Sequence, residues 1–266
     1  MIIIGESLNA TIPSVRQAVI DHDEDFISSL AKVQTERGAN MLDVNAAVPG
    51  QNEVENLVWM VKIVQSATTV PLVLDSSNPD ALEAALSVYK GERPILNSIT
   101  GELTESHLHL LQLAVDHDCG LVGMCMDEVG ISPETEVRFS IAVRLHERAI
   151  SFGLNVENLY IDPLVMAIAA DYYAGAVSLE VLRLINERLP YVKTFCGSSN
   201  VSYGMPLRKL LNKTFVSMQA ALGMDAFLVD VRNRELMATL LAATALIGQD
   251  EWGMNYIRAF RQGKLG

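Results

Sequence analysis

Eight short apolar runs recur along the chain, each followed by a longer stretch whose apolar residues fall three and four apart. No other feature restricts the fold as much. The runs are Ile2–Ile4, Met41–Val44, Leu72–Leu74, Ile95–Asn97, Leu121–Cys125, Leu159–Ile161, Val192–Phe195 and Phe227–Val229. The intervening stretches include Leu57, Met60, Val61 and Val64, then Leu108, Leu111 and Val115, then Val181, Leu182, Ile185 and Leu189. Runs that are apolar throughout imply strands buried on both faces, as in a parallel sheet covered by helices. Repeated strand–helix units make this an α/β fold. An open doubly wound sheet shares that pattern. The count of eight, with no glycine-rich dinucleotide turn after the first run, predicts closure into a single-domain (β/α)8 TIM barrel spanning 1–266. Asn78-Pro79 and Ser132-Pro133-Glu134 each offer a cap followed by Pro at the first helical position. One extra helix is expected over Trp252 to Phe260, packed on the outside.

The length of 266 residues suits one such barrel, whose usual size is roughly 250. A chain this long buries about three-quarters of its unfolded surface and needs no staples. Cys119, Cys125 and Cys196 form no CxxC pair, which fits a reducing compartment and argues against a structural zinc site. Met1-Ile2-Ile3-Ile4 is too short for a signal peptide and lacks a basic flank. No run reaches the roughly 18 apolar residues of a membrane span. A formal net charge of −12 disfavours nucleic acid, whose phosphates need Lys and Arg to replace counterions. A cytoplasmic protein with neither membrane nor nucleic-acid partners is therefore expected.

In barrels of this kind the chemistry sits at the C-terminal ends of the strands. Here those ends carry Glu6, Asn9, Asp43, Asn45, Asp75, Asn97, Asp127, Asp162, Ser199, Asn200 and Asp230. His22, His107, His109, His117 and His146 all fall in expected helices or at their edges, away from the strand ends where a metal-dependent hydrolase places its imidazoles. No metal bound by the protein is expected. Acidic and amide groups converging on one mouth suit a neutral heterocycle with several N–H donors and lone pairs. A carboxylate accepts two parallel bonds from an aminopyrimidinone edge, while an Asn both donates and accepts. Asp75, Asn97 and Asp162 are the candidates to grip such an edge. The competing reading is that each caps the next helix; that reading is preferred for Asp127 and Asp230.

The ordered strand-end motifs resemble those of the pterin-binding methyltransferases. The motifs are Ile4-Gly5-Glu6 with Asn9, Leu42-Asp43-Val44-Asn45, Leu74-Asp75-Ser76, Asn97-Ser98, Leu159 to Leu164, Gly197 with Ser199 to Ser202, and Leu211 to Phe215. They are most similar to the methyltetrahydrofolate:corrinoid protein methyltransferases, with the folate domain of cobalamin-dependent methionine synthase as a cousin. The resemblance runs from residue 4 to residue 215. It implies that Asp75, Asn97 and Asp162 hydrogen-bond the pterin ring, with Asp43 a further polar position beside it. Gly197 and Ser199 match the turn that lets backbone lie close to the ring. Asn200 matches the amide that approaches N5 and is the catalytic candidate; Arg208 is a candidate for the folate tail. Tetrahydrofolate or 5-methyltetrahydrofolate is the implied substrate, cobalamin is carried by a separate corrinoid protein, and a homodimer is implied. Methyl groups could pass to a corrinoid iron–sulfur protein in acetyl-CoA synthesis, or come from a corrinoid protein charged by an O- or N-demethylating enzyme.

Two stretches depart from the pattern: Ser7-Leu8 between Glu6 and Asn9, and Tyr203-Gly204-Met205-Pro206. Both lie near the mouth. Dihydropteroate synthase is the competing enzyme, but the seventh-strand loop from Gly197 to Ser202 lacks that family's basic residues before Arg208. A non-catalytic pterin-binding subunit is the competing non-enzyme; Asn200 would have no evident purpose in it.

Overall fold

The computed structural model describes residues 1–265. Eight parallel strands close into a barrel in chain order: β1 (Ile2–Asn9), β2 (Met41–Asn45), β3 (Leu72–Asp75), β4 (Ile95–Thr100), β5 (Gly120–Met124), β6 (Leu159–Asp162), β7 (Lys193–Gly197) and β8 (Ala226–Val229). Each expected run is the heart of one strand. β1 runs further than expected because its register with β2 shifts between Gly5 and Leu8, which carries the strand on to Asn9. A second shift separates Asn97 and Ile99 on β4.

The first connection holds two helices where periodicity predicts one: α1 (Pro13–Asp21) and α2 (Glu24–Glu36). His22 breaks them apart with φ 51, and its N–H closes α1 onto Ala18 and Val19. Asp23 then caps α2 by accepting from the Phe26 amide at 2.9 Å. The remaining outer layer is α3 (Glu53–Ala67), α4 (Pro79–Val88), α5 (Glu105–Asp116), α6 (Thr135–Phe152), α7 (Ala174–Arg188), α8 (Arg208–Ala221) and α9 (Arg234–Leu246), followed by α10 (Met254–Arg261). α4 starts as expected, with Pro79 in its first turn and the Asn78 side chain accepting from the Asp80 amide at 3.0 Å. α6 does not. Ser132 accepts from the Glu134 amide at 3.1 Å and forms a turn, so the helix begins only at Thr135. No helix of the described residues is long and apolar enough to cross a membrane.

The core has two parts. The larger lies between strands and helices and includes Leu42, Leu57, Leu74, Leu82, Leu121, Leu145 and Val216. Gly5 marks one close approach. A Cβ there would stand 2.5 Å from Oε1 of Gln34 on α2, the atom that accepts from the Ser7 amide at 3.0 Å. The smaller part is a plug inside the barrel, made by one residue from each strand: Ile4, Met41, Val73, Ile95, Val122, Tyr160, Phe195 and Ala226. This ring fills the lower barrel, as inward side chains do in closed eight-stranded sheets.

Candidate active site

Because strand side chains alternate, residues two beyond the plug point inward again, one layer nearer the C-terminal mouth. That step leads from Ile4, Met41, Val73, Ile95 and Tyr160 to Glu6, Asp43, Asp75, Asn97 and Asp162. From Val122, Phe195 and Ala226 it leads to Met124, Gly197 and Leu228. The second ring is therefore polar over β1–β4 and β6, and apolar or bare at β5, β7 and β8. Asp75 and Asn97 are direct strand partners, as are Met124 and Asp162, and Gly197 and Leu228.

The carboxyl groups of this ring are hard to ionise. Burial holds the Asp43 carboxyl well above its ordinary range, and the neighbouring Asp75 and Glu6 charges push the same way. The Asn9 and Asn97 side chains stand near enough to oppose that shift, though neither makes a well-formed hydrogen bond to the buried Asp43 oxygens. A native structure leaves few such groups orphaned, which marks Asp43 as an unusual position in this layer. Asp75 is pushed up to about 6 by burial, opposed by a 3.1 Å hydrogen bond from the Asn45 amide. Asp162 is pushed up to about 7 by burial, opposed by the Leu164 amide, which donates to it at 2.7 Å. Glu6 reaches about 7 for the same first reason, opposed by the Ser199 hydroxyl, which donates to it at 3.1 Å.

Behind Asp162 lies Arg138, wholly buried on α6. Its guanidinium donates to the carbonyls of Pro163 at 3.3 Å and Leu164 at 3.1 Å, pinning the segment that leaves β6. Burial lowers the Arg138 pKa. Buried Cys125, just beyond β5, and Cys196 on β7 close this region; burial keeps both thiols protonated.

After β7 a tight turn, Ser198–Ser202, carries Ser199 and Asn200 over the ring. Asn200 is exposed, and its Nδ2 lies 3.5 Å from the point that a Cβ on Gly197 would occupy, so the bare strand end and this amide face each other. Arg208 braces the turn, donating to the Ser199 carbonyl at 3.1 Å and the Ser202 hydroxyl at 3.0 Å. A cavity of about 600 Å³ opens beside it, lined by Glu6, Ser199, Arg208, Lys209, Asp230 and Arg232 among others. A larger groove, of about 760 Å³, lies between α2, α9 and α10, lined by residues such as Arg37, Met237 and Arg258. No strand-end carboxylate of the ring reaches it, so chemistry points to the mouth despite the smaller space.

The residues singled out from sequence thus fall into two groups. Asp43, Asp75, Asn97, Asp162 and Gly197 share the ring, while Ser199, Asn200 and Arg208 share the turn above it. Asp127 and Asp230 stand outside, engaged with Arg144 at 3.1 Å and Arg232 at 2.9 Å. His22 is the C-cap of α1, packed edge-on against Trp59 at 4.9 Å, and His107, His109, His117 and His146 lie in or at the ends of α5 and α6. Sequence reasoning gave no role to Glu6 and none to Asn45. The signal for Glu6 was there: it stands two residues beyond an inward apolar residue, as Asp75 and Asp162 do.

A profile of the pterin binding enzyme family matches residues 5–231. A methylcorrinoid:tetrahydrofolate methyltransferase of Eubacterium limosum is 37% identical over 268 residues, covering 100% of this chain and 98% of that protein. A methionine synthase of Mycobacterium leprae is 29% identical over 241 residues, covering 86% of this chain, which spans only 20% of that protein's length. Among solved structures, a dihydropteroate synthase from Xanthomonas albilineans in complex with 7,8-dihydropteroate superposes with a TM-score of 0.67 at 19% identity, covering 94% of this chain and 93% of that one. That likeness is one of fold.

Proposed function

The chain belongs to the pterin binding enzyme family and groups with a methylcorrinoid:tetrahydrofolate methyltransferase along its whole length; from that premise we propose how its mouth works. The protein moves a methyl group between N5 of tetrahydrofolate and the cobalt of a corrinoid held by a separate protein. The observation that carries this reading is the polar ring set two residues above an apolar plug. Five side chains that accept and donate hydrogen bonds form one layer directly above hydrocarbon, which suits a flat heterocycle with polar edges.

Asp75, Asn97 and Asp162 grip the pterin edge, and Asp43 completes the grip. Carboxyls raised by burial serve both needs of that edge: ionised they accept from N–H groups, and protonated they donate to ring nitrogen or oxygen. Gly197 leaves room for the ring to lie against the β7 backbone, with Ser199 at its border. Asn200 reaches toward N5. A methylated N5 is a poor leaving group until it carries positive charge, and an amide oxygen that accepts from protonated N5 stabilises charge that grows toward the transition state. Arg208, at the rim, meets the carboxylates of the folate tail. The corrinoid protein approaches the same rim, where Tyr172, Tyr173 and Tyr203 are exposed. The cobalt is substrate on that partner, and this chain's residues bind, orient and handle the proton. A second copy of the chain is its expected other partner.

Calorimetric titration with (6S)-5-methyltetrahydrofolate tests the binding half of the proposal, with one-to-one saturation expected. Label exchange between 5-methyltetrahydrofolate and cob(I)alamin tests the transfer half. Binding without exchange would leave a pterin-binding subunit, and no binding at millimolar ligand would sink the reading.

A further inference from the structure

Glu6 faces two ways. It belongs to the polar ring through the alternation of β1, and it also lines the 600 Å³ cavity beside the turn, which Asp43, Asp75 and Asp162 do not. It therefore connects the closed interior with a space open to water. Its one hydrogen bond comes from the Ser199 hydroxyl at 3.1 Å, and Ser199 immediately precedes Asn200 in the same turn.

The charged groups around Glu6 come from every element that packs on it. Asp43 stands on β2, Asp230 and Arg232 on the segment after β8, and Arg208 at the start of α8. Neither cation makes a direct ion pair with Glu6. Arg208 is committed to the Ser199 carbonyl and the Ser202 hydroxyl, and Arg232 to Asp230 at 2.9 Å. Burial thus outweighs the attraction of both arginines and brings the Glu6 carboxyl up to about 7.

We propose that Glu6, working through the Ser199 hydroxyl, is the reservoir that delivers the N5 proton and takes it back. The inference rests on the methyltransferase reading above and supplies the proton that this reading requires. When tetrahydrofolate is methylated, the N5 lone pair forms the new N–C bond, the C–Co bond breaks and cobalt keeps its electron pair. N5 then holds both methyl and hydrogen with a positive charge. Its proton passes to Ser199 Oγ as the serine proton passes to ionised Glu6, leaving neutral 5-methyltetrahydrofolate and a neutral carboxyl. In the opposite direction neutral Glu6 hands its proton to Ser199 Oγ, whose own proton moves to N5, and the methyl then leaves toward cob(I)alamin. A carboxyl poised near neutrality serves as acid in one direction and base in the other. Asn200 stabilises the N5–H form while it exists, so the amide and the reservoir have separate duties.

The test uses the full chain, with cob(I)alamin or methylcob(III)alamin as the free corrinoid probe, and follows single-turnover rate against pH in both directions. In the wild type the rate of demethylating 5-methyltetrahydrofolate should fall as pH rises through about 7. The rate of methylating tetrahydrofolate should fall as pH drops through the same point. Glu6→Gln should slow both directions roughly 100-fold and abolish both limbs. Its dissociation constant for 5-methyltetrahydrofolate should stay within about threefold of wild type. Limbs that persist in Glu6→Gln, or affinity lost in proportion to rate, would overturn the proposal. Should Glu6→Gln not fold, Ser199→Ala carries the test, since full rate without that hydroxyl rules out the relay. The methyltransferase reading is checked separately, on the wild type alone. A chain that neither binds the folate nor transfers methyl loses both ideas, whereas an active chain with an indifferent Glu6 loses only this one.

Discussion

Two layers of one barrel, separated by about 7 Å along the strands, are filled with opposite chemistry. The lower ring of Ile4, Met41, Val73, Ile95, Val122, Tyr160, Phe195 and Ala226 is sealed hydrocarbon. The upper ring places four carboxyls and an amide where each would rather meet water. In the lower ring every side chain gains from burial, by roughly 1.5–3 kcal/mol for a large apolar group. In the upper ring burial opposes ionisation, and the carboxyl pKa values rise accordingly. The plug adds to stability; the ring spends some of it to hold unsatisfied hydrogen-bonding capacity in place. The two functions fall on different residues of each strand, two positions apart, although Met124 and Leu228 of the upper layer pack on the plug.

The largest expected effect falls on the plug. Phe195→Ala should lower unfolding free energy by about 3–5 kcal/mol in a denaturant titration, while the folded fraction keeps its folate affinity. A large loss of affinity per folded molecule would show that the layers are coupled. Next comes the turn above the ring. Asn200→Ala should slow methyl transfer roughly 100-fold with little change in folate binding, whereas equal losses would assign Asn200 to ground-state binding. Within the ring, Asp75→Ala or Asp162→Ala should weaken folate binding by about 1.5–3 kcal/mol, measured by calorimetry, without destabilising the ligand-free protein. Unchanged affinity in both would remove them from the pterin slot.

The smallest effect distinguishes the layers by pH. A carboxyl whose pKa is raised on folding contributes stability that is full below its unfolded value, about 4. That contribution is lost as pH rises through about 6 for Asp75 and about 7 for Glu6 and Asp162. Between pH 5 and pH 8 the Asp75 part alone is about 1.4 kcal/mol. At about 2–4 °C per kcal/mol this group lowers the melting temperature of the ligand-free protein by roughly 3–6 °C, and Glu6 and Asp162 add to that fall. Asp75→Asn should flatten part of that slope, and Phe195→Ala should shift the curve without flattening it. A slope unaltered by Asp75→Asn would place its cause outside the ring.

Much of this division was legible in the sequence. Runs such as Leu72–Leu74 ending in Asp75 announce a strand buried on both faces with a functional group at its tip, because alternation is local and strict. The bracing was not legible. Asn45 holds Asp75 from the neighbouring strand, Arg138 reaches from α6 to the carbonyls behind Asp162, and Arg208 ties down Ser199. Such contacts join residues far apart in the chain, and no period encodes them. The break at His22 was also invisible, since a left-handed residue between two helices leaves the apolar spacing nearly intact. The length of β1 was not legible either: the apolar run ends at Ile4, and a register shift carries the strand on to Asn9.

Gly197, the bare position in the upper ring, has one more consequence. Polar side chains on β1, β2, β3, β4 and β6, with none on β5, β7 or β8, form a set that no rotation or reflection about the barrel axis maps onto itself. A flat ring held by its edge in such a set lies one way up, with one face toward the open side. The mouth therefore has a hand, and on the proposed reading it would sense the configuration of the carbon that joins the pterin to its side chain before any bond is made or broken.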